Sequence, residues 1–177
     1  HNFPQTQSYL ESDAAKRAKW LEKIGARVKP RIGIVWNGSS THKNDHNRSM
    51  SFEQMIAALP DSYEIFCLQK EVRKSDLPTL ESASHVKYFG DELRDFTDTA
   101  ALCDLMDVIV SVDTSVAHLA GAMGKPVKLL LPFTPDFRWL LDRKDSPWYP
   151  SMTLFRQGPD RAWAEPLKGI KDALEAE

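Results

Sequence analysis

Residues 107–131 read DVIVSVDTSVAHLAGAMGKPVKLLL. Ile109, Val110 and Val112 are β-branched and nearly continuous, as in a strand covered on both faces. Past Val112 the spacing changes: Val116, Leu119, Ala120 and Met123 supply an apolar helical face. Ala117, Gly121 and Gly124 supply a small one, which predicts close approach of the helix to a sheet. Val127–Leu131 then returns to an apolar run, interrupted by Lys128 alone. Strand, helix and strand in this order predict a parallel sheet.

The same alternation extends outward. Further strands are predicted at Arg31–Trp36, Tyr63–Leu68, Val86–Phe89 and Asp107–Val112. Helices are predicted at Ser51–Leu59, Ser75–Ser82, Thr97–Met106, Thr114–Met123 and Trp163–Ala176. The fold class is therefore α/β, a Rossmann-like, doubly wound parallel sheet of about five or six strands over residues 31–177. Residues 1–10 look irregular, and Ser12 or Asp13 caps a helix that runs to about Gly25. Residues 1–30 are assigned to a helix and linker from a preceding domain.

Composition narrows the function. The 177 residues carry 23 basic and 25 acidic side chains, a formal charge of −2, which argues against non-specific nucleic-acid binding. No apolar run is long enough to span a membrane. The chain starts at His1-Asn2-Phe3-Pro4, with neither an initiating Met nor a signal segment, so it reads as processed or cut from something larger. Cys67 and Cys103 form no CxxC pair; they read as buried free thiols of a cytoplasmic protein.

In doubly wound sheets ligands bind beyond the carboxyl ends of the strands, where strand order reverses. With the common order, the loops after Trp36 and Val112 flank that point. Asp113 or Thr114 caps the second helix, whose free N–H groups suit a diphosphate, and His118 overhangs the same end. A capped core helix with a satisfied histidine fits the same residues. The loop Asn37–Ser49 is long and carries Lys43 and Arg48, both able to meet phosphate oxygens; a solvated polar loop fits it equally. Other chemistries match less well. The first strand lacks GxGxxG, and Asp113, Ser115 and His118 lack the GxSxG elbow of a hydrolase. His42 and His46 flank Asp45, but no helix is expected there and no HExxH pattern exists.

The segment Val112–Val127 resembles the signature of glycosyltransferase family 9, which includes the heptosyltransferases. That motif runs Asp-Thr-Gly-x-x-His-Leu-Ala-Ala-Ala and continues to a Lys-Pro, here Lys125-Pro126. The wider chain is similar to the C-terminal domain of bacterial tetratricopeptide-repeat glycosyltransferase-like proteins. That similarity rests on Trp36-Asn37-Gly38 with His42-Lys43-Asn44-Asp45, on Leu68-Gln69-Lys70-Glu71, on Leu131-Pro132-Phe133, and on Asp145-Ser146-Pro147-Trp148-Tyr149-Pro150.

The resemblance implies the donor-binding half of a GT-B glycosyltransferase, metal-independent and inverting. A nucleotide-diphosphate sugar is its substrate, and no cofactor is expected. Asp113, Thr114, Ser115 and His118 would bind the diphosphate, with Arg48 where the family places a phosphate-binding Lys. Thr134 matches a Gly-Pro-Thr loop near the transferred sugar. Gln69 to Glu71 and Asp95 to Thr99 would edge the base and ribose. Ser115 departs from the family's Gly and brings a hydroxyl to the phosphate seat. Trp139, Trp148 and Tyr149 either stack on a sugar or pack beneath a loop. The general base is expected outside this chain, in a preceding domain, and tetratricopeptide repeats are an expected neighbour. Competing readings are a non-catalytic interaction module and a sugar-nucleotide epimerase domain.

Overall fold

The structure is a computed structural model that describes residues 8–39, 41 and 43–177. Its strands are β1 (Arg31–Val35), β2 (Glu64–Cys67), β3 (Val86–Tyr88), β4 (Val108–Val112), β5 (Val127–Leu131) and β6 (Met152–Arg156). They form one sheet in the order β3-β2-β1-β4-β5-β6, every neighbouring pair parallel. Order therefore reverses between β1 and β4, which pair from Ile32↔Val108 to Val35↔Ser111.

The helices are α1 (Ala14–Ile24), α2 (Asp45–Arg48), α3 (Phe52–Ala57), α4 (Leu77–Ser82), α5 (Phe96–Asp104), α6 (Ser115–Ala122) and α7 (Ala164–Glu175). Side chains of alternate strand residues supply two cores, one on each face. Ile32, Ile34, Val108 and Val110 meet Phe52 and Met55 of α3, Leu80 of α4 and Ile170 of α7. Val35, Phe66, Ile109 and Leu129 meet Trp20 of α1, Ala101 and Leu102 of α5, and Ala117 and Ala120 of α6. Central strands β1, β4 and β5 are buried along their whole length, which explains why their sequences are apolar apart from Arg31, Ser111 and Lys128.

β6 adds a strand to the five positions named from sequence. It is an edge strand in which Met152 and Leu154 are buried while Thr153 is exposed, so it lacks the continuous apolar signal. α2 is a single turn inside the loop expected to hold no helix. It closes because the Ser49 N–H donates to the Asp45 carbonyl at 3.0 Å and the Asp45 carboxylate takes Arg48 and Arg73. α1 lies on the sheet's own core through Trp20 and Ile24. Residues 1–7 of the segment expected to be irregular lie outside the described residues. Further along, Tyr9 and Leu10 both donate to the Ala122 carbonyl.

Cys67 and Cys103 are buried and free, and burial pushes each thiol up to about 12. Among the described residues no helix is long and apolar enough to cross a membrane.

Candidate functional site

Two cavities meet at the switch between β1 and β4. The larger, about 610 Å³, has walls from Val35, Leu68, Leu93 and Val116 and a rim that includes Glu71, Asp95, Phe96 and Thr99. The second, about 430 Å³, is lined by Asp113, His118, Thr134, Asp136 and Arg138, among others. Arg48, Thr114 and Ser115 line both, and these residues mark the seam.

The seam lies at the N-terminus of α6. Thr114 is its N-cap residue, yet its side chain makes no capping bond and instead lies 3.3 Å from the Ser111 hydroxyl. The first-turn N–H groups of α6 therefore lack the acceptor that a capping side chain provides, and they form the positive end of the helix dipole. Ser115 is exposed there.

Arg48 reaches this point from the other loop. Its Nη1 donates to the Asp113 carbonyl at 2.7 Å and its Nε lies 3.4 Å from Asp45 Oδ1. Asp45 is buried and also takes the Ser49 hydroxyl at 2.9 Å and Arg73 Nη2. Gly38 completes the cradle, because a Cβ there would sit 2.4 Å from Arg48 Nη2 and 2.9 Å from Asp45 Oδ1.

Behind the loop, buried polar side chains brace the backbone. Gln69 Oε1 accepts from the N–H groups of Trp36 at 2.7 Å and Asn37 at 3.1 Å. Its Nε2 donates to Asn37 Oδ1 and to the Glu71 carbonyl. All four bonds of the amide are thus used, so Gln69 shapes the cavity wall rather than offering a free group. Asp76, also buried, accepts from Trp36 Nε1 at 2.8 Å and from the Phe52 N–H at 3.4 Å. No sequence motif pointed to Asp76; its role follows from the indole that folds over it.

In the smaller cavity His118 is gripped from three sides. Its Nδ1 is 3.0 Å from the Tyr149 hydroxyl and its Nε2 is 3.7 Å from Asp113 Oδ1. Its ring stacks on Trp139 at 5.0 Å and 24°. Trp139 is fully buried and so packs beneath its loop, while Trp148 is partly exposed and donates from Nε1 to the Arg138 carbonyl. Arg138, which no sequence signal singled out, pairs with Asp136 at 2.7 Å. That hydrogen bond holds the Asp136 carboxyl below its usual range.

The remaining sequence candidates are spread more widely. Thr134 is exposed and lines the smaller cavity. Glu71 and Thr99 line the larger one, as does Asp95, whose carboxylate caps α5. The Thr97 hydroxyl and Lys16 hold Asp95 well below the usual carboxylate range. Lys43 is exposed and lines neither cavity. His42 lies outside the described residues, and His46 is exposed on α2. No cluster of three or more His, Cys, Asp or Glu that could hold a metal occurs among the described residues.

Residues 1–155 match the profile of glycosyltransferase family 9 (heptosyltransferase). Over 181 residues the chain is 28% identical to protein FlbA of Caulobacter vibrioides, covering 97% of this chain and 30% of FlbA. Among solved structures it is similar to the E. coli ADP-heptose lps heptosyltransferase II. The TM-score is 0.64 and the identity 17%, over 97% of this chain and 55% of that one. WaaG, a glycosyltransferase involved in lipopolysaccharide biosynthesis, gives a TM-score of 0.53 at 16% identity, over 98% and 45% of the two chains. At these identities the structural likeness establishes the shared fold, one half of a GT-B architecture. The chain spans about half of each solved structure and under a third of FlbA.

Proposed function

Because the chain belongs to glycosyltransferase family 9 (heptosyltransferase), we propose that it binds the nucleotide-diphosphate sugar donor of an inverting glycosyl transfer, without a metal. The observation that carries this reading is the seam, where Arg48 crosses to the uncapped end of α6 between two cavities. A diphosphate placed there meets backbone N–H groups and a guanidinium that Asp45 and the Asp113 carbonyl have already oriented. The larger cavity, with apolar walls and Phe96 at its edge, takes the base and ribose. The smaller cavity, with Thr134, Asp136 and Arg138, takes the sugar.

In this arrangement the chain's task is the leaving group. As the bond to the sugar breaks, negative charge grows on the diphosphate. The α6 dipole, Arg48 and His118 stabilise it from fixed positions, so little reorganisation is needed during the reaction. Loss of one such preorganised donor typically raises a barrier by about 2.7–4 kcal/mol. The base that activates the acceptor comes from another domain, and tetratricopeptide repeats are a candidate neighbour. On this reading the chain alone binds donor and transfers little.

Calorimetric titration with UDP-, GDP- and ADP-sugars tests the proposal. One of them is expected to bind. Arg48→Ala should weaken it about 10- to 100-fold and His118→Ala about tenfold, with thermal unfolding showing that both variants fold. Absence of binding to all three at millimolar concentration would sink the donor reading and leave the interaction module.

A further inference from the structure

Tyr149 lies outside the α6 segment and next to β6, yet its hydroxyl is the group that meets His118 Nδ1, at 3.0 Å. Several features hold it there. The Tyr149 N–H donates to Ser146 Oγ, and the Tyr149 carbonyl accepts from the Met152 N–H. Its ring lies on α6 at Gly121, where a Cβ would come within 2.6 Å of Tyr149 Cγ. The missing side chain at residue 121 is what lets the phenol reach the histidine one turn earlier.

The neighbours of His118 bias where its ring proton sits. On the cavity side Nε2 faces Asp113, whose carboxylate only accepts, while Asp136 and Arg138 line the same cavity. Burial pushes the Tyr149 hydroxyl up to about 12, so it stays a neutral phenol whose single proton has two acceptors in reach, His118 Nδ1 and the Tyr9 hydroxyl. The carboxylate 3.7 Å from Nε2 favours a proton on that nitrogen, and with the proton there Nδ1 is the acceptor and the phenol turns its hydrogen to His118 rather than to Tyr9.

We propose that Tyr149 is a positioning residue: its hydroxyl holds Nδ1 of His118 so that the imidazole keeps an Nε2–H donor turned into the cavity beside the α6 N-terminus. This rests on the donor-binding reading, in which that N–H meets a diphosphate oxygen.

Long-range 1H–15N correlation spectra of the nucleotide-free, 15N-labelled chain test it without any ligand. Neutral His118 should show a protonated-type Nε2 and an unprotonated-type Nδ1. Tyr149→Phe keeps the ring on Gly121 and removes only the hydroxyl, and it should convert His118 to a tautomer mixture. Gly121→Ala keeps the hydroxyl but displaces the ring, and it should do the same. Affinity for whichever of ADP, UDP or GDP binds the wild type should fall about fivefold in Tyr149→Phe. An Nδ1–H tautomer in the wild type, an unchanged tautomer in Tyr149→Phe, or a changed tautomer with undiminished affinity overturns the assignment. Failure of all three nucleotides to bind the wild type counts against the donor reading, whereas the spectra judge Tyr149 by themselves.

Discussion

Arg48 and Gly38 show how little of a site one residue defines. The Arg48 guanidinium reaches the Asp113 carbonyl only because the space above it is empty at Gly38. A new Cβ would strike the far end of Arg48, which can swing out, and also Asp45 Oδ1 at 2.9 Å, in a buried carboxylate held by Ser49 and Arg73. Gly38→Ala should therefore cost about 1–2 kcal/mol in chemical denaturation while the chain still folds. It should still lower donor affinity nearly as far as Arg48→Ala does in the same titration. A Gly38→Ala chain that bound donor normally would show that the observed pose of Arg48 is dispensable. At this scale the sequence identified Arg48 by charge and position, but nothing in it distinguished the committed amide of Gln69 from a free one.

Among helices, the contrast lies in how each begins. α1, α3 and α5 start with Asp13, Ser51 and Asp95, whose side chains accept first-turn N–H groups, and Ser51 forms a full capping box with Gln54. These starts are short-range patterns and legible in sequence. α6 begins with Thr114 and lacks such a bond; α4 follows Asp76, whose carboxylate is spent on the Trp36 indole instead. Asp76→Ala would leave buried donors on Trp36 and Phe52 without an acceptor. Its expected cost is about 2–4 kcal/mol by urea denaturation, with Asp76→Asn recovering part of it by keeping one oxygen. Equal stability of Asp76→Ala and wild type would mean that water replaces the carboxylate.

Across the whole sheet, charge is arranged as closely as apolar surface. Glu64 on β2 takes Arg31 of β1 and Lys87 of β3, each at 3.2 Å, and both cations lie over the Phe66 ring. Burial opposes ionisation of Glu64, but the hydrogen bonds and charges of Lys87 and Arg31 outweigh it and lower its pKa. The unfolded chain releases this proton near the ordinary glutamate value, about 4.3. The ionised pair therefore contributes its full stability above that pH and loses it as pH falls through the lower folded value. Glu64→Gln should destabilise the protein at neutral pH and match wild type in acid, as read from melting temperatures across that range. A constant difference at all pH values would assign the effect to packing.

By itself the sequence determined the parallel sheet, its central strands, the switch point and the two loops that flank it. Each of these rests on local periodicity or on a short contiguous motif. Only the tertiary structure decided which polar groups face the cavities. Gln69 is consumed by the backbone of β1's loop, Lys43 stands apart, and Tyr149 arrives at His118 from 31 positions further along the chain. β6 is likewise decided by pairing, since its alternating residues bury one side against β5 and the core. The physical reason is the same throughout: burial periodicity is set between near neighbours, whereas a hydrogen bond between distant residues exists only once packing has brought them together.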